Sequence, residues 1–105
     1  MSFPATFAPP AEAVRDLAAD ERVRRAFRLF ETEAERINEE HAALCAIPAP
    51  PFGEAERASY VRGQLRGCGL SDAELDEVGN CVALRRGSKP RPLLVVSAHL
   101  DTVFP

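Results

Sequence analysis

The chain has 105 residues, of which 46% are apolar, and its 13 Lys and Arg against 16 Asp and Glu give a formal net charge of -3. This length allows one compact domain at most, and the mild acidity argues against a nucleic-acid-binding surface, which is usually basic. No stretch approaches the roughly 20 apolar residues that span a bilayer, and the N-terminus lacks the pattern of a secretory signal. We therefore expect a cytoplasmic protein that binds neither nucleic acid nor membrane.

The N-terminal part is predicted to be helical after an irregular lead-in. Residues 1–10 are rich in proline, whereas residues 11–47 carry apolar residues at steps of three and four, the spacing of one helix face. This stripe comprises Val23, Phe27, Phe30, Ala34, Ile37, His41 and Leu44. Asp20 is a suitable N-cap beside a short break. The prolines of 48–51 end the helix, because proline lacks an N–H and disfavours helix in the residue before it.

A second helix and a hairpin are predicted next. Residues 54–67 carry a buried stripe and are followed by a glycine-rich stop. The stripe comprises Ala58, Val61 and Leu65. Gly79-Asn80 predicts a two-residue turn between strands 73–78 and 81–86, because both residues tolerate positive φ. The three cysteines are widely spaced and lack a C-x-x-C pair, which predicts reduced, partly buried thiols.

The apolar run at 93–98 predicts a central strand. Continuous apolar runs of this length are typical of strands that are buried on both faces. Such a strand needs neighbouring strands and covering helices, and the order helix, helix, hairpin, strand is that of an α/β domain with a mixed sheet. We therefore expect residues 11–105 to form the N-terminal, incomplete part of an α/β catalytic domain.

Polar residues directly after this strand are the strongest candidates for a functional site. Side chains alternate along a strand, so His99 and Asp101 lie on one side and Leu100 on the other. The carboxyl end of a strand faces the crevice where α/β enzymes bind ligands. Imidazole is a common zinc ligand and works best when a carboxylate or carbonyl holds its other nitrogen. By itself, however, His-x-Asp is also an ordinary polar strand end.

Three segments occur in an order and spacing that resemble a known family. They are residues 47–54 (IPAPPFGE), 76–80 (DEVGN) and 97–103 (SAHLDTV). Together they resemble the zinc-dependent peptidase and deacylase family that includes glutamate carboxypeptidase, tripeptidase, aminoacylase, acetylornithine deacetylase and succinyl-diaminopimelate desuccinylase. The resemblance covers about residues 40–105, and its last segment is the most specific. Residues 1–39 correspond to a variable N-terminal helix.

The resemblance implies a catalytic site of two zinc ions bridged by a carboxylate and a water, with cobalt or manganese as alternative metals. His99 matches the first histidine ligand of the family, and Asp101 matches the catalytic-site aspartate that holds the histidine ring in position. The metals would lower the pKa of the bridging water, and a glutamate would act as general base. The implied substrate is a small peptide or an N-acyl amino acid.

The remaining ligands of the family follow the first motif and cannot be assigned here. One imidazole and one carboxylate do not supply the roughly four ligands that zinc takes. We therefore expect these 105 residues to be inactive alone, and a homodimer to form only with a full-length chain, since the family's lid and dimerisation domain is absent. Two alternatives to the enzyme remain: a non-catalytic α/β binding module and a truncated remnant.

Overall fold

The computed structural model describes residues 10–103. The chain divides into two compact units, Met1–Glu39 and Glu40–Pro105. The lead-in predicted for residues 1–10 lies outside the described residues except for Pro10, which begins the first helix. No helix in the described part of the chain is long and apolar enough to cross a membrane.

Three helices occupy the segment that was predicted to be helical. They are α1 (Pro10–Ala19), α2 (Glu21–Thr32) and α3 (Ala34–Cys45). The predicted cap at Asp20 is confirmed, because its carboxylate accepts a hydrogen bond from the Arg22 amide at 2.8 Å. A second break, at Glu33, was not predicted. The Thr32 hydroxyl donates to the Leu29 carbonyl at 3.1 Å, a side-chain bond that bends helices because it competes with the backbone ladder.

The apolar stripe of these helices is not buried in the described structure. Phe27 and Phe30 are each more than half exposed, and no residue of 10–39 is buried. His41, on the same stripe, is also exposed. The spacing predicted that these side chains share one helix face, and in the described structure that face is largely exposed. Periodicity determines which side chains share a helix face, whereas burial also requires a second surface to pack against.

The second unit contains the predicted helix α4 (Ala55–Gly67). Ala58 is buried and both Val61 and Leu65 are half-buried, which confirms the predicted stripe. The helix ends where the glycines were expected to stop it. Gly69 has a φ of 91°, and the amide of Leu70 donates back to the Leu65 carbonyl at 3.0 Å. This six-residue closure is the Schellman arrangement that satisfies a carbonyl of the last turn.

An antiparallel hairpin follows α4 and packs against it. Strands β1 (Glu74–Leu75) and β2 (Cys81–Val82) are shorter than the predicted 73–78 and 81–86. Their register pairs Glu74 with Val82 and Leu75 with Cys81. Arg66 of α4 donates to the Ala73 carbonyl at 3.0 Å and forms an ion pair with Glu74, which joins the helix to the first strand.

The hairpin turn differs from the predicted Gly79-Asn80 turn. The amide of Asp76 donates to the Asn80 carbonyl at 2.9 Å, so residues 77–79 form a three-residue loop. Gly79 takes the left-handed position of that loop, with a φ of 89°. The Asp76 carboxylate accepts hydrogen bonds from the amides of Val78 and Asn80 and from the Asn80 side chain. These bonds, the one from the Asn80 side chain foremost, lower the pKa of Asp76.

The central strand predicted at 93–98 is not formed. The structure places these residues in no strand, and the side chains of the run are exposed, with Leu94 85% and Val96 87% accessible. A strand exists only when its amides and carbonyls pair with a neighbour, and the only sheet among residues 10–103 is the hairpin. The mixed sheet of an α/β catalytic domain therefore stays a prediction.

The buried core of the described residues is small and lies in the second unit. Its apolar members are three alanines, Ala49, Ala58 and Ala73. Arg57 is the buried charged residue, with 3% of its surface accessible. From this buried position, Arg57 donates hydrogen bonds to Ile47, just before the loop that precedes α4, and to Leu100, next to the residues singled out by the sequence.

Candidate functional site

The two residues singled out by the sequence contact each other. His99 Nδ1 lies 2.8 Å from the backbone carbonyl oxygen of Asp101 and 3.1 Å from its Oδ1 atom. The imidazole is 81% exposed, whereas the carboxylate is 32% exposed. Both oxygen atoms favour the tautomer that carries its proton on Nδ1. In that tautomer the Nε2 atom has a free lone pair with which it could bind a metal.

The described residues contain no complete metal site. Nowhere in 10–103 do three or more His, Cys, Asp or Glu side chains come together in a group that could hold a metal ion. The orientation of His99 by Asp101 agrees with the arrangement of a ligating histidine and its supporting carboxylate. The donor set thus fits one ligand of a zinc site and not the complete coordination sphere.

Arg57 forms hydrogen bonds to the segment that carries this pair, and sequence reasoning missed it. Its guanidinium donates to the carbonyl of Ile47 from Nε at 3.0 Å and to the carbonyl of Leu100 from Nη1 at 2.7 Å. Nη2 lies 3.3 Å from the Thr102 hydroxyl oxygen. One signal was present in the sequence: Arg57 lies four residues before Val61, on the buried face of α4, where an unpaired charge is costly.

A backbone hydrogen bond reinforces this arrangement. The amide of Thr102 donates to the Ala49 carbonyl at 2.8 Å, and Ala49 itself is buried. The segment containing His99 and Asp101 is thus attached to the proline-rich loop that separates α3 from α4. Two of the three segments that carried the family resemblance, 47–54 and 97–103, are joined by these contacts.

The loop at this attachment contains a strained residue. Phe52 has a φ of 64°, a left-handed conformation that is uncommon for a bulky side chain, and is fully exposed. The Gly53 amide closes the turn on the Pro50 carbonyl at 2.8 Å, and the Phe52 amide donates to Glu54 Oε1 at 2.7 Å. A Cβ at Gly53 would meet Pro50 Cγ at 2.9 Å, so this turn requires glycine there.

The cysteines take no part in this arrangement. Cys45, Cys68 and Cys81 are free, as predicted. Cys45 and Cys68 are exposed and only Cys81 is half-buried, so the prediction of partial burial holds for one of the three.

Two curated proteins are similar to part of the chain. One, from Thermococcus kodakarensis, bears the name of a LysW-lysine/LysW-ornithine hydrolase and is 40% identical over 60 residues, which is 57% of this chain and 17% of that protein. The other, the cytosol non-specific dipeptidase of Escherichia coli, is 36% identical over 66 residues, 59% of this chain and 13% of the dipeptidase. Both are hydrolases by name.

These partial matches support a peptidase or hydrolase family for the chain. The chain spans less than one fifth of the length of either relative. No protein-family model matches the chain, and no solved structure matches it. The similarity therefore agrees with the coarse reaction class that the sequence predicted.

Proposed function

We propose that the chain carries the first metal ligand of a hydrolase that cleaves peptide or acyl-amino-acid amide bonds. His99 binds the metal through Nε2, and Asp101 holds the ring by accepting the Nδ1 proton. The observation that carries the proposal is the pair of contacts from His99 Nδ1 to Asp101, at 2.8 and 3.1 Å, in a solvent-exposed position. The names of the two partial relatives support the same reaction class.

Zinc is the proposed metal, with cobalt or manganese as substitutes. Two bound zinc ions would lower the pKa of a water molecule between them and so activate it for hydrolysis. This chain's residues contribute one imidazole and the carboxylate that orients it, so further ligands have to come from outside residues 10–103. We place residues 11–105 in the N-terminal part of the catalytic domain of a longer, cytoplasmic enzyme. The chain alone is then inactive, and dimerisation belongs to that longer form.

Zinc binding to the purified chain tests the ligand assignment. We expect weak binding that is lost in His99→Ala and retained in His41→Ala, because His41 is the other histidine of the chain and lies exposed on α3. Asp101→Ala should weaken binding by roughly 10- to 100-fold, the usual effect of removing the partner that orients a ligating histidine. Isothermal calorimetry or displacement of a chromogenic chelator measures each affinity.

Equal zinc affinity in wild type and His99→Ala would show that His99 is not a ligand. Loss of binding in His41→Ala alone would move the site to α3 and remove the support that the His99 geometry gives to the proposed function.

A further inference from the structure

Arg57 is a buried cation that donates its hydrogen bonds to neutral oxygens. Buried arginines normally face carboxylates, because the cost of removing a charge from water has to be offset. Among residues 10–103 no carboxylate lies within ion-pair distance of Arg57, whose three acceptors are the Ile47 carbonyl, the Leu100 carbonyl and the Thr102 hydroxyl. Its neighbour on the same helix, Arg66, does have a carboxylate partner, Glu74.

These acceptors come from two segments that are distant in the sequence. Ile47 precedes Arg57 by 10 residues, whereas Leu100 and Thr102 follow it by 43 and 45 residues. The guanidinium is planar and presents five N–H donors in a fixed fork, so it can hold both segments at once in one geometry. The residue Ile47, just after α3, and the segment after the apolar run are thus bonded to the same side chain.

The two distal acceptors flank Asp101 on either side. Holding Leu100 and Thr102 fixes the backbone through Asp101, and the Thr102 amide adds its own bond to Ala49. The exposed His99 ring contacts Asp101 through its Nδ1 atom. The imidazole thus contacts a residue whose two flanking neighbours bond to the buried Arg57.

We propose that Arg57 is a positioning residue for the His99–Asp101 pair, and this inference rests on the proposed function. Arg57 acts from inside the fold: it sets where Asp101 lies, and Asp101 sets where the imidazole lies. The role requires the guanidinium fork and not simply a positive charge, because an ammonium group is a compact point charge that cannot reproduce the geometry of all three contacts.

The test compares Arg57→Lys and Arg57→Ala with Arg66→Ala in the full 105-residue chain. Arg66 is a matched control, since it is also an arginine of α4 that donates to a backbone carbonyl, that of Ala73, at 3.0 Å. The first measurement is hydrogen exchange of the Thr102 amide. The second is the nuclear magnetic resonance shift of the His99 ring nitrogens on stepwise addition of zinc chloride.

We expect Arg57→Lys to accelerate hydrogen exchange of the Thr102 amide by roughly tenfold or more. The reason is that the guanidinium bonds to Leu100 and Thr102, which hold this segment, are not all retained. The zinc concentration that half-saturates the His99 response should rise by roughly 10- to 100-fold. Arg66→Ala should leave both measurements close to wild type while it accelerates exchange in the hairpin. Arg57→Ala should reproduce the lysine variant or exceed it.

Wild-type values in Arg57→Lys for both measurements would overturn the proposal. So would an equal change in Arg66→Ala, because the effect would then reflect a general loss of structure. If Arg57→Ala unfolds, the lysine variant decides. If His99 of the wild type does not respond to zinc, the proposed ligand is wrong; the positioning role is then decided by Thr102 exchange and by the ring-nitrogen shifts that report the His99–Asp101 hydrogen bond.

Discussion

At the scale of single residues, short-range carboxylate contacts determine several local conformations. Asp20 begins α2 by accepting the Arg22 amide at 2.8 Å, and its other oxygen accepts from the Arg22 guanidinium at 2.7 Å. These hydrogen bonds, the one from the Arg22 side chain foremost, lower the pKa of Asp20 from 3.8 to about 2. In the hairpin loop, the carboxylate of Asp76 likewise accepts hydrogen bonds from backbone amides, those of Val78 and Asn80.

The Asp20 cap predicts a pH dependence for the N-terminal end of α2. Because the folded-state pKa, about 2, lies below the unfolded value of 3.8, the cap stabilises the helix fully above pH 4. The stabilisation is lost as the pH falls from about 4 through about 2. Circular dichroism should therefore show helix content falling over this range. Asn also caps helices well, so Asp20→Asn should retain the helix at pH 7 and lose this pH response.

A pH response in Asp20→Asn equal to that of the wild type would assign the transition to another carboxylate. Asp20→Ala is the complementary variant, since it removes the cap itself. It should lower helix content already at pH 7, whereas Asp20→Asn should not.

The residue scale also shows what sequence could and could not predict. His99 and Asp101 were found because their i, i+2 spacing is a local pattern. Arg57 was missed because two of its acceptors are backbone carbonyls, which every residue has and which leave no trace in the sequence. The Asp20 cap was predicted, and the Asp76-centred loop was not, because the Gly79-Asn80 dipeptide also fits a shorter turn.

At the scale of elements, local signals predicted α4 and the existence of the hairpin well. Each of these depends on residues that are close in the chain: the stripe of α4, the positive φ of Gly69 and the left-handed Gly79. The prediction of a strand at 93–98 was wrong because a strand depends on partners that are distant in the chain. The continuous apolar run is typical of a strand that is buried on both faces. Such a strand also needs neighbouring strands to pair with, and a local sequence pattern does not reveal whether they are present.

Two glycines of the second unit should respond to substitution in opposite directions. Gly79→Ala forces an alanine into a φ of 89° and should destabilise the hairpin by about 1 kcal/mol. Gly63→Ala lies within α4, where an added Cβ meets nothing within 4 Å, and should stabilise that helix by up to about 1 kcal/mol. Amide exchange of the hairpin and of α4 reports each effect separately.

The comparison is informative because both substitutions add the same methyl group to an open position. Equal effects in the two variants would show that the left-handed conformation at Gly79 is not what maintains the loop.

At the scale of the whole molecule, little apolar surface is removed from water. The buried apolar residues within 10–103 are three alanines, and no large side chain there is fully buried. Large apolar side chains are exposed instead, among them Phe52, Val78 and Leu94. A stable small domain normally obtains its free energy of unfolding from a substantial buried core.

The chain on its own should therefore unfold gradually. The slope of unfolding free energy against urea scales with the surface that unfolding exposes, so we expect an apparent value below about 1 kcal/mol per molar urea. Circular dichroism during urea addition and differential scanning calorimetry measure this. A sharp calorimetric transition whose measured enthalpy equals the van't Hoff enthalpy would contradict the expectation.

The contacts of Arg57 also have a consequence for the order in which the chain folds. Its bonds to Leu100 and Thr102 close a segment of more than 40 residues, whereas α4 and the hairpin join residues that are near neighbours in the chain. Long-range closures carry a larger entropic cost and form more slowly than local contacts. During synthesis α4 is complete long before residues 99–102 leave the ribosome. Until then the Arg57 guanidinium of α4 is hydrated by water. We expect His99 and Asp101 to become ordered only when Arg57 bonds to Leu100 and Thr102.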